Sequence, residues 1–151
     1  MPTELTLRPA TADDAAAVTT VHLASRAAAP MPPGIHTDAE VGAWLAGRLE
    51  LDDVWVAETD GVPVGYARFT ETWLDDLYVL PAYAGQGVGS ALLEVVKAQR
   101  PAGFSLWVFE TNAPARAFYA RHGLVEREHT DGSENEERAP DLRVEWTGAG
   151  S

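Results

Sequence analysis

Chemistry is most plainly written between Leu77 and Leu93, in Leu-Tyr-Val-Leu-Pro-Ala-Tyr-Ala-Gly-Gln-Gly-Val-Gly-Ser-Ala-Leu-Leu. A short apolar strand pattern runs into Gly85, Gly87 and Gly89, and these open an amphipathic segment. Glycine lets a backbone take positive φ and come close to a ligand. The first N–H groups of a helix have no internal acceptor and point at whatever anion lies there. The pattern suits a pyrophosphate held by backbone donors, or else a purely structural glycine turn. It is not a Walker loop, since no Gly-Lys-Ser/Thr follows. Nor is it the dinucleotide fingerprint, because the third glycine would be Ser90 or Leu92.

Further candidates stand on either side. Asp75 and Asp76 lie at the start of the same strand, Asn112 precedes Ala-Pro-Ala-Arg-Ala-Phe-Tyr, and Tyr119 closes that run. A tyrosine is protonated at neutral pH and can act as a general acid; it also packs well beside Phe118. The two aspartates can act as base and as counter-charge, or face solvent at a strand end. Asp75 shares the face of Trp73 and Leu77 by period two. There is no cysteine, which excludes disulfides and a thiol nucleophile. The four histidines, His22, His36, His122 and His129, have no ligand spacing and are expected to be solvated or capping, with no metal site.

Elements must position these groups. Leu5–Arg8 alternates as a first strand, and Thr11–Asp14 opens an alanine-rich helix to about Ala28. Three prolines at 30, 32 and 33 enforce an irregular link. Asp38 can cap a second helix to about Leu51, with Val41, Trp44, Leu45 and Leu49 on one face. Val54–Glu58 and Val62–Phe69 are strands around an Asp60-Gly61 hairpin turn. Trp73–Val79 is the next strand, followed by a helix from Gly87 to Arg100 and a strand over Phe104–Phe109. Asn112 caps a short helix to about His122, and Leu124–His129 and Leu142–Trp146 are the last strands. The order implies one α/β (α+β) domain over residues 1–151.

The net charge of −12 disfavours nucleic acid as partner. Residues 1–75 hold four arginines and twelve carboxylates, whereas all seven basic groups of the second half lie at or beyond Lys97. Phosphates would find attraction in that half, and a cationic acceptor in the other, unless the acidic surface serves solubility alone. The polar N-terminus is no signal peptide and no apolar run reaches about 18 residues, so a cytoplasmic location with no membrane partner is expected.

The stretch Trp73–Leu93 resembles the acetyl-CoA-binding motif of the GNAT superfamily of N-acetyltransferases, Arg/Gln-x-x-Gly-x-Gly/Ala, with Gly87 and Gly89 matching and Ala84 where Arg or Gln is usual. Asn112-Ala-Pro-Ala115-Arg-Ala-Phe118-Tyr119-Ala-Arg-His-Gly123-Leu124 resembles the family's Asn-x-x-Ala-x-x-Phe-Tyr-x-x-x-Gly-Phe motif, only Leu124 departing. The resemblance implies a mixed, mostly antiparallel sheet flanked by helices and splayed beside the glycine turn. It implies acetyl-CoA held by Leu77, Tyr78, Val79, Gly85, Gln86, Gly87, Val88, Gly89, Ser90, Asn112 and Tyr119, and no metal. It implies direct acetyl transfer to a primary amine, with Tyr119 as acid for the thiolate. Trp73 stands where many members place a basic Glu. Trp73–Val79 is also similar to a stretch of diamine acetyltransferases in which the residue at the Asp75 position acts on the amine. Asp75, through water, is therefore the expected base, with Asp76 a second carboxylate for substrate charge. The acidic N-terminal half leads to the expectation of a small cationic amine or polyamine as acceptor, and the resemblance to that of a homodimer. The Ala84 and Trp73 departures leave open a non-catalytic acetyl-CoA sensor or a partner-binding domain on this fold.

Overall fold

A computed structural model describes residues 4–149; Met1-Pro2-Thr3, the opening of the N-terminal reading, lies outside them. Strand β1 (Leu5–Pro9) ends where Arg8 forks onto Asp14, both N–O distances being 2.9 Å. That pair anchors a 3-10 turn, Ala12–Asp14, which leads into helix α1 (Ala15–Ala28). After the proline link, Thr37 rather than Asp38 caps helix α2 (Asp38–Leu51). Its hydroxyl accepts from Glu40 N while the Glu40 carboxylate takes Thr37 N–H, so Asp38 falls in the first turn, where the helix dipole favours it.

Strands β2 (Asp53–Thr59) and β3 (Val62–Phe69) are joined by Asp60 and Gly61 at φ 52° and 77°, the two positive angles that a tight primed turn demands. Strand β4 (Leu74–Val79) completes an antiparallel sheet in the order β1-β2-β3-β4. A 3-10 turn, Pro81–Tyr83, and the glycine turn then give helix α3 (Val88–Gln99). Strand β5 (Phe104–Phe109), helix α4 (Ala113–Arg121), and strands β6 (Val125–Thr130) and β7 (Asp141–Trp146) follow, with a second antiparallel sheet ordered β5-β7-β6. The sheet is thus mostly antiparallel, flanked by helices, as the sequence implied.

The two sheets touch through one parallel bridge, Trp73 to Ser105, where Ser105 N donates to Thr72 O at 2.9 Å. Trp73 and Trp107 stack there at 5.9 Å and 10°. Beyond that joint β4 and β5 carry no ladder between them, so they diverge and leave a cleft. The first sheet is sandwiched. One face packs with Leu92, Leu93 and Val96 of α3 on Ala57, Val64 and Ala67; the other packs Val18, Val21 and Leu45 of α1 and α2 on Val54, Val56 and Tyr66. Gly65 lies under α3: a Cβ there would meet Val88 Cγ1 at 2.9 Å and the Tyr78 carbonyl at 3.1 Å. Trp44, expected on the buried face of α2, is half exposed and lies instead over the Arg68 guanidinium at 4.6 Å. Among the described residues no helix is long and apolar enough to cross a membrane.

Candidate active site

The cleft between the diverging strands is a cavity of about 200 Å³. From β4 it is bordered by Asp75, Asp76, Leu77 and Tyr78, from β5 by Leu106 to Phe109, and from α4 and its cap by Asn112, Ala115 and Tyr119. Asn112 Oδ1 caps α4 by accepting from Ala115 N at 3.3 Å, which fixes the helix whose next turn carries Tyr119 to the cleft. Burial pushes the Tyr119 hydroxyl well above its ordinary pKa, and Tyr78 and Asp76 nearby push it further the same way. It is a protonated phenol at any physiological pH.

The glycine turn follows β4 in the chain and sets Gly89 beside Val79 and Phe118. Gly85 and Gly87 have φ of 77° and 86°, and a Cβ on either would project into open space, so their conformation and not crowding demands glycine. Val88, Gly89 and Ser90 are the first three residues of α3, whose N–H groups have no acceptor within the helix. Gly89 is helical and a Cβ there would make only ordinary contact with Phe118 at 3.5 Å. The Gln86 amide turns back to Ala82 O at 3.3 Å, and the Ser90 hydroxyl bonds His122 Nε2 at 2.9 Å. Val79 reaches toward Gly89, with Cγ2 3.7 Å from where a Cβ would stand.

The basic groups beyond Lys97 are largely occupied. Arg100 pairs with Asp53, Arg116 with Glu126, Arg127 with Glu145 and Arg143 with Glu128, while Lys97 donates to His122 O. The donors that this turn itself offers an anion are the backbone amides at the helix terminus.

A larger groove of about 740 Å³ adjoins the cleft, between α1, the proline link, α2 and the loop before β7. Asp38, Glu40, Glu136 and Glu137 border it beside Ile35 and Trp44, so its rim is acidic with apolar patches. Arg26 and Asp76 border both groove and cleft, and they mark the place where the two spaces meet.

The two candidate aspartates have different settings. Asp76 is buried and accepts from Arg68 Nε at 2.8 Å and from the Tyr66 hydroxyl at 2.9 Å. Arg68 continues to Asp52 at 2.7 Å, which Arg48 also grips with two bonds. Asp75 stands at the outer edge of the cleft, 3.9 Å from Arg68 Nη1, and partial burial pushes its carboxyl above the usual range against the pull of Arg68. Trp73 is committed to the stack on Trp107.

Residues the sequence reading passed over complete the cluster. His22, expected to be solvated or capping, is buried with its Nδ1 2.7 Å from the Tyr66 hydroxyl; the correction follows from its place on α1 beside Val18 and Val21, one helical turn of buried face. Arg26, one turn further, donates to the Tyr78 hydroxyl at 3.4 Å and pairs with Glu137 at 3.4 Å. Burial pushes Tyr78 up to about 12. The helical spacing Val18, Val21, His22 was the available signal; nothing in the sequence tied it to Tyr66 or Asp76.

A splayed pair of sheets with a positive-φ glycine turn over the fork defines an acyltransferase-type fold. The family model of the acetyltransferase (GNAT) domain matches residues 50–126, and the chain belongs to that family. An uncharacterized N-acetyltransferase of Archaeoglobus fulgidus is 35% identical over 109 residues, 62% of this chain and 72% of that protein. The peptidyl-lysine N-acetyltransferase YjaB of Salmonella typhimurium is 38% identical over 87 residues, and the match spans 57% of this chain and 59% of its length. The solved GCN5-related N-acetyltransferase of Rhodopseudomonas palustris superposes with a TM-score of 0.81 at 25% identity, over 97% of this chain and 98% of that one.

Proposed function

We propose that the chain transfers the acetyl group of acetyl-CoA directly to a small, cationic primary amine. The observation that carries the reading is the meeting of an acidic groove and a tyrosine-lined cleft at Arg26 and Asp76, on the strand that the glycine turn follows. The pyrophosphate lies on the amides of Gly85 to Ser90, and the pantetheine arm follows Leu77 to Val79 into the fork. Carboxylates around the groove gather the ammonium, and Asp76 holds it at the junction by charge. YjaB, named for action on peptidyl-lysine, is a precedent for a primary amine on a related chain.

The nitrogen attacks the thioester carbon, a C–N bond forms, and the C–S bond breaks as the tetrahedral oxyanion collapses. Tyr119 gives its proton to the leaving sulfur. Asp75, raised in pKa by burial and so a better base than an ordinary aspartate, takes a proton from the attacking nitrogen through water and returns it to the phenolate. A panel of amines assayed by release of free CoA tests the reading. Turnover of di- and polyamines above neutral amines is expected; no turnover on any amine, with acetyl-CoA bound, would make the chain a sensor instead.

A further inference from the structure

Between ammonium and amide the nitrogen sheds two protons: one before it can attack, and one as the new bond matures. Asp75 stands in the cleft, where the second is released. The first must be taken on the acceptor side, and the groove holds a group made for it.

The direction of two hydrogen bonds fixes the state of that group. An ionised carboxylate only accepts, so Asp76, ion-paired to Arg68, takes the single hydroxyl proton of Tyr66. The Tyr66 oxygen is left to accept, and its other neighbour at 2.7 Å is His22 Nδ1. His22 Nδ1 therefore carries a hydrogen, and in the neutral ring the lone pair belongs to Nε2. Every fully buried side-chain nitrogen and oxygen among the described residues has a partner, yet His22 Nε2 bonds to none of them. That atom consequently meets solvent, and the solvent space that the ring borders is the acidic groove.

We infer that His22 is the proton acceptor for the incoming ammonium, its Nε2 taking the first proton while the Nδ1–H, Tyr66 hydroxyl and Asp76 line stabilises the imidazolium. The inference rests on the amine-acetylation reading. The step balances: R–NH3+ gives H+ to Nε2, leaving R–NH2 to attack, and the imidazolium later loses that proton to water through the open groove. The product side is the amide, free CoA thiol and one proton.

The surroundings suit the task. Desolvation by burial lowers the His22 pKa, Asp76 on β4 opposes this, and Arg26 on its own helix and Arg68 on β3 add to it, so the free ring is neutral. The Tyr78 ring of β4 meets it edge-on at 5.0 Å, and Glu136 and Glu137 border the groove from the loop before β7. The carboxylates that border the groove favour the protonated ring and so support its taking a proton.

Two measurements on the whole chain test this. Long-range 15N-detected NMR of the imidazoles at neutral pH should show His22 as the Nδ1–H tautomer; an Nε2–H tautomer would overturn the assignment. The pH profile of kcat/KM should carry an acid limb below about pH 6.5 that disappears in His22→Gln, with a fall of about 10²–10⁴ at neutral pH. Tyr66→Phe, which keeps the ring, should retain the limb but shift it downward by removing the relay to Asp76. A His22→Gln variant within about threefold of wild type, or with its acid limb intact, would overturn the inference. Failure of the underlying reading has a different signature: wild-type chain releasing no CoA with any amine, whatever the tautomer of His22.

Discussion

Arg68 Nε and Asp76 Oδ2 lie 2.8 Å apart in the interior, with 6% and 7% of the two residues exposed. Arg68 also holds Asp52 at 2.7 Å, so one guanidinium compensates two carboxylates. Removing one partner of a buried pair strands the other charge. Arg68→Met should cost about 3–5 kcal/mol. At about 2–4 °C per kcal/mol for a chain of this size, the thermal midpoint falls by about 6–20 °C. A midpoint within 2 °C of wild type would show that the cluster repacks without its arginine.

Gly87→Val places a branched residue at φ 86°. The left-handed conformation costs a non-glycine residue about 1–2 kcal/mol, and the side chain projects over the turn where phosphate is proposed to lie. Calorimetry should show acetyl-CoA affinity falling by tenfold or more. Gly89→Ala, whose Cβ has ordinary room beside Phe118, should bind within about threefold of wild type. Equal affinity in all three folded proteins would remove the pyrophosphate from this turn.

Tyr119→Phe keeps the buried ring and deletes the proton. A positioned acid contributes about 10²–10⁴ in rate. The loss should fall on kcat with little change in the affinity for acetyl-CoA, because the interaction forms as the thiolate leaves. Since the raised pKa of Tyr119 keeps it protonated, no alkaline limb below about pH 10 should belong to it. Turnover within threefold of wild type, with chemistry rate-limiting, would leave sulfur protonation to solvent.

The groove is ringed by Asp38, Glu40, Glu136 and Glu137. Attraction of a cationic acceptor to such a rim weakens as salt passes about 0.15 M, where screening shortens to about 8 Å. Stopped-time assays should show kcat/KM for a polyamine falling with salt while that for a neutral amine stays flat. Parallel profiles for the two would end the preference for a cation.

Acid stability has a separate source. Hydrogen bonds from Arg8, working against the cost of burial, hold the Asp14 carboxyl down at about 2, below the roughly 3.9 of an unfolded chain. Its contribution is complete above about pH 4 and is lost as pH falls through 2, amounting to about 2 kcal/mol at most. Arg8→Met should flatten the thermal midpoint between pH 4 and 2 relative to wild type. An unchanged slope would place the acid sensitivity elsewhere.

Local signals carried much of the fold. The Asp60-Gly61 turn, the Asn112 cap and the glycines opening α3 are each specified by a few adjacent residues, and each stands where the sequence put it. The α2 cap was misplaced by one residue because Thr37 and Asp38 are both good caps, and the reciprocal bond with Glu40 decides for Thr37. The cluster of His22, Tyr66, Arg68 and Asp76 was illegible for a different reason. Its members come from α1, β3 and β4, up to 54 positions apart; the β3–β4 register sets Arg68 opposite Asp76, and the packing of α1 on the sheet brings His22 to Tyr66. Single charged residues in a sequence look solvated until a sheet pairs them. Trp73, at a position where the resemblance leads one to expect a basic Glu, reads as a structural choice once its stack on Trp107 is seen at the joint of the two sheets.

Gly65 borders neither cavity and has no side chain to bind or react, yet it governs distance. With no Cβ, it allows Val88 and Leu92 to rest almost directly on the backbone of β3. The first turn of α3 is thereby held at a set height above β4. A ligand gripped at its phosphates by that turn and at its thioester in the fork spans two points whose separation its own covalent length dictates. On the proposed binding mode, the hydrogen at position 65 acts as the spacer that matches the protein to that length. A methyl group there would work as a shim, lifting one grip by a few tenths of an ångström and leaving the reactive carbon short of its place.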